Sequence, residues 1–228
     1  MREASKTNQY RDASFFSQYF GGTVLDIGAG EDLVCPHAKG FDMADGDANH
    51  LDRYFPPESF DTVHSSHSLE HMLDPVFALR NWWSLVKPGG YLVLVVPDED
   101  LYEQGIWPSV FSSDHKTTYR LDKPDSWSPV SYEVRGLCAA LPDAEIVSAQ
   151  VQSHNFDWAL MFPKGLEVKR KYPRHVKLLM SVLKRLPVVS KSWVKKFKIH
   201  LIQYGYPLDQ STYDACVQIE VIVRKRAH

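Results

Sequence analysis

The alternation of hydrophobic and polar residues predicts short buried strands separated by turns. The run TVLDI is β-branched and apolar and stops at Gly28-Ala29-Gly30, which predicts a buried strand followed by a tight turn. A brief second strand is predicted at 38–42, and a third at FDTVHSS, which begins at Phe60. The run YLVLVVP, ending at Pro97, is almost continuously apolar, as expected for a strand buried on both faces of a parallel sheet.

Helical spacing occurs between these strands. The first twenty residues predict a helix that ends at Gly21-Gly22. Asp74-Pro75 offers an N-cap and a first-turn proline to a second helix, whose apolar positions recur through Val86 before Lys87-Pro88-Gly89-Gly90 ends it. Strands alternating with helices predict an α/β fold with a doubly wound sheet.

The second half of the chain carries a weaker signal. A helix is predicted near 131–141, a strand at 145–151 and a last strand at 215–223. In the last strand, apolar residues alternate with Gln218 and Glu220, so one of its faces is expected to be less buried.

Length and composition predict one domain. The 228 residues are 44% hydrophobic and 24% charged, which suits a single globular domain over 1–228 with one insertion. The N-terminus is too polar for a signal peptide and no run of about 18 apolar residues occurs, so a cytoplasmic protein is expected. Three cysteines lie far apart, which predicts buried free thiols, and no metal site is expected.

The net charge of −2 hides a strongly basic segment. From Lys164 to Lys198 there are twelve lysines or arginines and one acidic residue, Glu167, whereas the rest of the chain has 13 more acidic than basic residues. We interpret 160–205 as a basic helical insertion. It is either an amphipathic lid with a solvated face, or a surface that binds anionic phospholipid at the inner face of the membrane or a phosphate-bearing acceptor. Nucleic acid is disfavoured because the remainder would repel it.

The turn after the first strand carries the most specific chemistry. A strand that ends in Asp26-x-Gly28-x-Gly30 and leads into a helix is typical of a nucleotide site, because glycines let a ligand approach backbone N–H groups. A dinucleotide fingerprint would place glycine three residues after Gly30, where this chain has Leu33.

Five segments then occur in a familiar order: VLDIGAGED, GFD, GDA, SFDTVHSSHSLEHM and LVKPGGYLVLVVP. Over 23–97 the chain thereby resembles class I S-adenosylmethionine-dependent methyltransferases. The resemblance implies a Rossmann-like, mostly parallel sheet with an antiparallel last strand, and S-adenosyl-L-methionine as cofactor. The basic helical insertion, which the charge pattern predicts, precedes that last strand.

The resemblance also implies cofactor contacts. Glycine backbone would meet the cofactor, Asp26 would orient its methionine portion, Asp42 would bind the ribose hydroxyls, and Asp47-Ala48 would contact the adenine. The implied set is Asp26, Gly28, Ala29, Gly30, Asp42, Asp47, Ala48 and Ser65. A bulky residue at Gly28 is expected to abolish binding while leaving the fold intact.

Two departures from the family pattern are visible. Asp32 stands where a third glycine is common, so the start of the first helix should differ. Only four residues separate Asp42 from Asp47, too few for the usual helix and strand, so the fold should be abbreviated there.

Methyl transfer to a hydroxyl needs positioning and a base. Because strand carboxyl ends meet in one crevice, the candidates for the catalytic wall are His67, His71, Asp98 and His115. We therefore predict O-methylation of a small-molecule or glycan-type acceptor with histidine assistance. The alternatives are N-methylation of an amine or amino sugar, which needs no strong base, and a non-catalytic binding protein.

Overall fold

The computed structural model describes residues 3–173, Val176 and residues 191–227. Its strands are β1 (Val24–Ile27), β2 (Lys39–Phe41), β3 (Phe60–Ser66), β4 (Val86–Pro97), β5 (Thr118–Arg120), β6 (Ser131–Glu133), β7 (Ala144–Gln152) and β8 (Gln218–Lys225). Its helices are α1 (Glu3–Asn8), α2 (Ala13–Tyr19), α3 (Pro75–Ser84), α4 (Val134–Ala139) and α5 (Lys191–Gln203). A π-helical turn, Glu99–Glu103, follows β4.

Six strands form one sheet in the order β2-β1-β3-β4-β8-β7, and β5 and β6 form a separate ribbon. β1 pairs in parallel with β2 and β3, and β3 pairs in parallel with β4. β8 is antiparallel to β4 and β7, so the predicted fold class is confirmed. The carboxyl ends of β1, β2, β3 and β4 consequently lie at one edge of the sheet, where ligands bind in this architecture.

α3 forms for the reasons that its sequence predicts. The Asp74 side chain accepts a hydrogen bond from the Phe77 N–H at 2.9 Å, and Pro75 occupies the first turn. Its apolar side, which includes the buried Leu79 and Trp82, packs on the sheet in the main hydrophobic cluster.

The helix expected after Gly30 is absent, and that prediction is wrong. Residues 28–38 connect β1 to β2 as a loop of turns. The Asp26 carboxylate accepts a hydrogen bond from the Val34 N–H at 2.6 Å, which holds this loop against the end of β1. Val34 packs in a cluster with residues of α1 and α2, so the N-terminal helices cover the sheet face beside this loop.

Two other expectations, a single N-terminal helix and a less buried face of the last strand, are wrong because of α1, α2 and the residues between them. The first twenty residues form α1 and α2 rather than one helix, because Asp12 begins a new helix by accepting a hydrogen bond from Phe15 N–H at 2.8 Å. Both faces of β8 are buried over 218–223, where Arg11 pairs with Glu220. Gln218 is likewise covered and donates a hydrogen bond to Thr7 at 2.9 Å.

The abbreviated segment is confirmed. β2 is the edge strand, and no strand occurs between Asp42 and the start of β3. A turn at 42–46 leads directly into a short 3-10 helix, Ala48–Arg53, beside α3.

The basic segment is described only in part, because residues 174–175 and 177–190 lie outside the described residues. α5 contributes Ile202 to a small hydrophobic cluster with Ile106, Leu160, Phe162 and Leu208. The insertion at 160–205 therefore stays a prediction. All three cysteines are buried and free, as predicted. Within the described residues no helix has the length and apolar character needed to cross a membrane.

Candidate active site

A cavity of about 690 Å³ opens at the carboxyl ends of the parallel strands. One wall is the loop after β1, a second is α1, and a third is the segment after β3. The π-helical turn adds Tyr102, and the loop before β5 adds Phe111, Ser112 and His115. Its volume lies in the range of small-molecule and cofactor pockets, which span roughly 300–1,000 Å³.

The two glycines of the turn differ in the space that surrounds them. Gly28 has φ +75°, and a Cβ there would lie 1.8 Å from Ser68 Oγ. A bulky residue at Gly28 would therefore disturb the turn itself, which corrects the expectation that the fold would stay intact. Gly30 has φ +54°, and a Cβ there would meet only Asp42 Oδ2, at 3.7 Å, so its backbone is open towards the cavity.

Two carboxylates shape this end of the cavity. Asp26 is buried, and its Oδ1 lies 2.6 Å from His64 Nδ1 while its Oδ2 holds the loop. Asp42 Oδ2 accepts a hydrogen bond from Gly30 N–H at 2.7 Å. Both residues line the cavity.

Three of the implied cofactor residues lie elsewhere. Asp47 caps the 3-10 helix by accepting a hydrogen bond from Asn49 N–H at 2.9 Å. The Ala48 carbonyl accepts one from Trp82 Nε1 at 2.8 Å, and Ser65 is fully buried in β3. None of the three is among the described residues that line the cavity, so their cofactor contacts stay predictions.

Asp32, which replaces a family glycine, holds α1 against the cavity. Its carboxylate accepts hydrogen bonds from the Ser5 N–H, at 2.9 Å, and from the Ser5 hydroxyl. Glu3, Ala4 and Ser5 of α1 thereby become part of the cavity wall.

Three histidines converge on one buried carboxylate. The distances to Glu70 Oε1 are 3.8 Å from His67 Nδ1, 3.7 Å from His71 Nε2 and 3.9 Å from His115 Nε2. Glu70 is 1% exposed, and neither of its carboxylate oxygens has a hydrogen-bond partner among the described residues. The grouping of His67, His71 and His115 at one cavity matches the predicted convergence, and their roles stay predictions.

Backbone contacts bring these histidines together. His67 and His71 follow β3 directly, and a 3-10 turn, Leu69–His71, directs the second towards the cavity. The loop that carries His115 is attached to the same turn, because Lys116 N–H donates to the Glu70 carbonyl at 2.8 Å.

The other ring nitrogen of each histidine meets an oxygen. His67 Nε2 lies 3.0 Å from Gln218 Oε1, His71 Nδ1 lies 3.1 Å from Asp114 Oδ2, and His115 Nδ1 lies 2.7 Å from Glu103 Oε1. An oxygen acceptor requires a ring N–H opposite it. The nitrogens that face Glu70 therefore carry the lone pairs when the rings are neutral.

Burial and charge perturb the groups around this cluster. Burial alone would lower the pKa of His115, but the Glu103 hydrogen bond and the negative charges of Glu70 and Glu103 outweigh it and raise the pKa. Burial raises the pKa of Tyr102, whose ring stacks on His115 with centroids 5.0 Å apart. Tyr102 is thus a neutral phenol and not a base at physiological pH.

Comparison with known proteins identifies the family. Residues 8–159, two thirds of the chain, match the family model described as a methyltransferase domain. The chain belongs to this methyltransferase family. No curated protein matches the sequence.

Two similar solved structures each cover at least nine tenths of this methyltransferase. A SAM-dependent methyltransferase from Archaeoglobus fulgidus is 16% identical with a TM-score of 0.51, covering 99% of this chain and 95% of that one. The YcgJ protein from Bacillus subtilis is also 16% identical, with a TM-score of 0.48, covering 91% and 92% of the two chains.

The methyltransferase uses S-adenosylmethionine, and its cavity suits that cofactor. The sulfonium and the amino group of the cofactor are cationic. Six carboxylates line the cavity, namely Glu3, Asp26, Glu31, Asp32, Asp42 and Glu70. No lysine or arginine joins them among the described residues, so the electrostatic potential favours a cation.

The fourth catalytic candidate lies outside this arrangement. Asp98 is buried, and its Oδ1 accepts hydrogen bonds from the N–H groups of Asp100 and Leu101, both at 3.0 Å. It caps the π-helical turn and is not among the described lining residues of the methyltransferase cavity, so its placement gives no support to a catalytic role.

Several functional positions were not identified from the sequence. Glu3, Glu103 and Tyr102 reach the cavity or its histidines from distant parts of the chain, and no local motif marks them. Glu70 differs from these three, because its place between two of the predicted histidines is visible in the sequence. Its burial is the signal that only the structure supplies.

Proposed function

We propose that this methyltransferase O-methylates a hydroxyl of a small-molecule or glycan-type acceptor, with His67 as the proton acceptor. The observation that carries the proposal is the convergence of three imidazoles on Glu70 at the cavity. Imidazole titrates near neutral pH and is the commonest general base. A hydroxyl needs such a base because its proton must leave as the new bond forms.

For the cofactor, we propose Gly30 and Asp42 as the main contacts at the β1 end. S-adenosylmethionine, when bound, supplies an electrophilic methyl group on a sulfonium that leaves as a neutral thioether. Gly30 has no side chain between its backbone and the cavity, so the cofactor can approach closely there. Asp42, directly after β2, is a carboxylate that would accept hydrogen bonds from ribose hydroxyls.

His67 is the most suitable base among the three. Gln218 Nε2 donates to Gln152 Oε1 at 2.7 Å, which fixes the amide and turns Gln218 Oε1 towards His67. The His67 Nε2–H therefore donates to Gln218, and Nδ1 is left to take the acceptor proton. With the cofactor bound, the acceptor oxygen would bond to the methyl carbon while the carbon–sulfur electron pair stays on sulfur.

The charge of the cavity bears on the acceptor class. The carboxylate-rich lining would repel a phosphate or carboxylate group near the methyl, so we propose a neutral acceptor. The same lining favours a second candidate, a cationic amine or amino sugar that loses its proton before N-methylation.

The two candidates differ in their dependence on His67. Tag-free protein would be incubated with methyl-labelled S-adenosylmethionine and panels of sugars, phenols and amines. We expect transfer to a hydroxyl, with the rate falling by about 10²- to 10⁴-fold in His67→Ala. The matched control, His154→Ala, removes an exposed histidine stacked on Tyr10 and should leave the rate unchanged. Labelling confined to amines, with His67→Ala as active as wild type, would refute O-methylation.

A further inference from the structure

The buried carboxylate of Glu70 has no role in the proposed methyl transfer that would balance its charge. Its carboxylate is 1% exposed and has no hydrogen-bond partner among the described residues. An unpaired buried charge costs several kcal/mol, so native proteins pair such a group or place a cation beside it.

The neighbouring histidines do not donate to it in their neutral forms. The oxygens of Asp114 and Glu103 take the Nδ1–H groups of His71 and His115. Each ring therefore directs its Nε2 lone pair towards Glu70 Oε1. Two lone pairs and a carboxylate that face one another repel unless a cation lies between them.

This pattern is the one that metal-binding histidines use. A ligating imidazole commonly donates its second N–H to a carboxylate, which fixes its tautomer and increases its basicity. Here two histidines have such a carboxylate, one exposed and one buried.

The distances also fit a metal ion. The possible ligand atoms of Glu70, His71 and His115 all lie within 4.8 Å of one another. Tetrahedral ligands at bonds of about 2.1 Å are about 3.4 Å apart. The Glu70 Oε1 to imidazole distances of 3.7 and 3.9 Å would need to shorten by only a few tenths of an ångström.

We propose that Glu70, His71 and His115 bind one divalent transition-metal ion of the Zn²⁺ class in the cavity wall. Two imidazoles and one carboxylate favour such an ion over Mg²⁺ or Ca²⁺, which prefer all-oxygen sites. Three protein ligands leave a coordination position open.

The open coordination position would take part in the proposed O-methylation, and this role of the metal rests on that proposed function. An acceptor hydroxyl bound to the ion would have a lowered pKa. His67 would then take the released proton at Nδ1, and the oxygen would attack the methyl group. Metal binding itself requires neither cofactor nor acceptor, so it can be tested separately.

The test uses tag-free, full-length protein that has been stripped with a chelator and dialysed. Zn²⁺ is titrated by calorimetry in competition with a chelator of known affinity, and bound Zn²⁺ is counted by elemental analysis. Co²⁺ replaces it in a second titration, where its visible absorption reports nitrogen and oxygen coordination. We expect one ion per chain.

The variants separate a built site from chance binding. Glu70→Gln and His71→Asn should each weaken Zn²⁺ binding at least about 100-fold, and Glu103→Gln should weaken it about 10- to 100-fold. His200→Asn, an exposed histidine of α5 beside Tyr204, is the matched control and should bind as wild type does. His71 is partly exposed, so His71→Asn decides the matter if Glu70→Gln fails to fold.

No stoichiometric Zn²⁺ in the wild type, or unchanged binding in His71→Asn, would overturn the proposal. If Zn²⁺ binds as expected and no hydroxyl is methylated, the metal site stands and the proposed O-methylation falls.

Discussion

At the scale of single residues, the buried carboxyl group of Asp98 has a raised pKa although it lies outside the histidine cluster. Burial raises its pKa to about 6, although hydrogen bonds from Leu101 and the charge of Lys123 act in the opposite direction. The native state thus binds this proton more tightly than the unfolded state, whose pKa is near 3.8. The stabilisation is complete below pH 4 and is lost as the pH rises through 6.

The substitution Asp98→Asn should remove the loss of stability that wild type shows as the pH rises through 6. The amide oxygen can still accept hydrogen bonds from Asp100 and Leu101, but no buried charge forms at neutral pH. A shift of about two pKa units corresponds to about 3 kcal/mol. We expect the free energy of unfolding of the variant to exceed that of wild type by about 3 kcal/mol at pH 7.5 and to be close to it near pH 4, measured by urea denaturation.

Asp12→Asn provides the matched control. Asp12 caps α2, and hydrogen bonds from Ser14 and Phe15 lower its pKa, so its stabilisation is present above the unfolded pKa and lost in acid. This variant should therefore be less stable than wild type at neutral pH. A difference between Asp98→Asn and wild type that does not change from pH 4 to 7.5 would contradict the interpretation of Asp98.

At the scale of elements, the local sequence pattern predicted two kinds of element. One kind is stabilised by residues near in sequence, and the other is buried on all sides. β4 is apolar throughout because both faces are covered, and Asp74 with Pro75 marks the start of α3. The loop after Gly30 was predicted as a helix because family resemblance supplied it. The interactions that replace that helix link Asp26 to Val34 and Asp32 to α1, and no local periodicity reveals them.

The contact between Asp32 and α1 is a prediction about one element. α1 has only six residues, so tertiary contacts must hold it in place. Asp32→Ala removes two hydrogen bonds to Ser5, worth about 1 kcal/mol each when exposed. We expect amide hydrogen exchange in peptides that cover residues 3–8 to accelerate about 5- to 30-fold, with a weaker affinity for S-adenosylmethionine in calorimetry.

Ser5→Ala separates the two bonds, because it removes the hydroxyl and keeps the backbone N–H. Its exchange rate should lie between those of wild type and Asp32→Ala. Exchange that is unchanged in Asp32→Ala would show that other contacts hold α1, among them the hydrogen bond from Asn8 to the Val34 carbonyl at 2.9 Å.

At the scale of the whole molecule, topology made the histidine grouping predictable. His67 and His115 are far apart in sequence, yet both follow strands whose carboxyl ends reach the same sheet edge. The same rule failed for Asp98 because it gives a region and not the direction of a side chain, which here turns to backbone N–H groups. Glu103 was not predictable, since its contact depends on the path of a long irregular loop.

The basic segment supports the last prediction, which concerns described residues that are not among those lining the cavity. We propose that this segment attracts anionic lipid, because its charge is separated from an acidic remainder. Lys195 is already paired with Asp157, whose Oδ2 lies 2.6 Å from its Nζ, so its charge is less available. Lys198 also interacts electrostatically with Asp157. The triple replacement of Lys195, Lys196 and Lys198 by Gln should therefore weaken binding to anionic lipid by less than three times the roughly 1 kcal/mol of an unpaired charge near the surface.

Asp157→Asn tests the same argument in the opposite direction. The amide oxygen can still accept a hydrogen bond from Ala159 N–H, but Lys195 loses its anionic partner and becomes available to lipid. Binding to phosphatidylserine vesicles, followed by sedimentation, should strengthen in this variant. All binding should weaken as salt rises, because the Debye length falls from about 30 Å at 0.01 M to about 8 Å at 0.15 M. If the wild type does not bind these vesicles at low salt, the basic segment is only a solvated face of the fold.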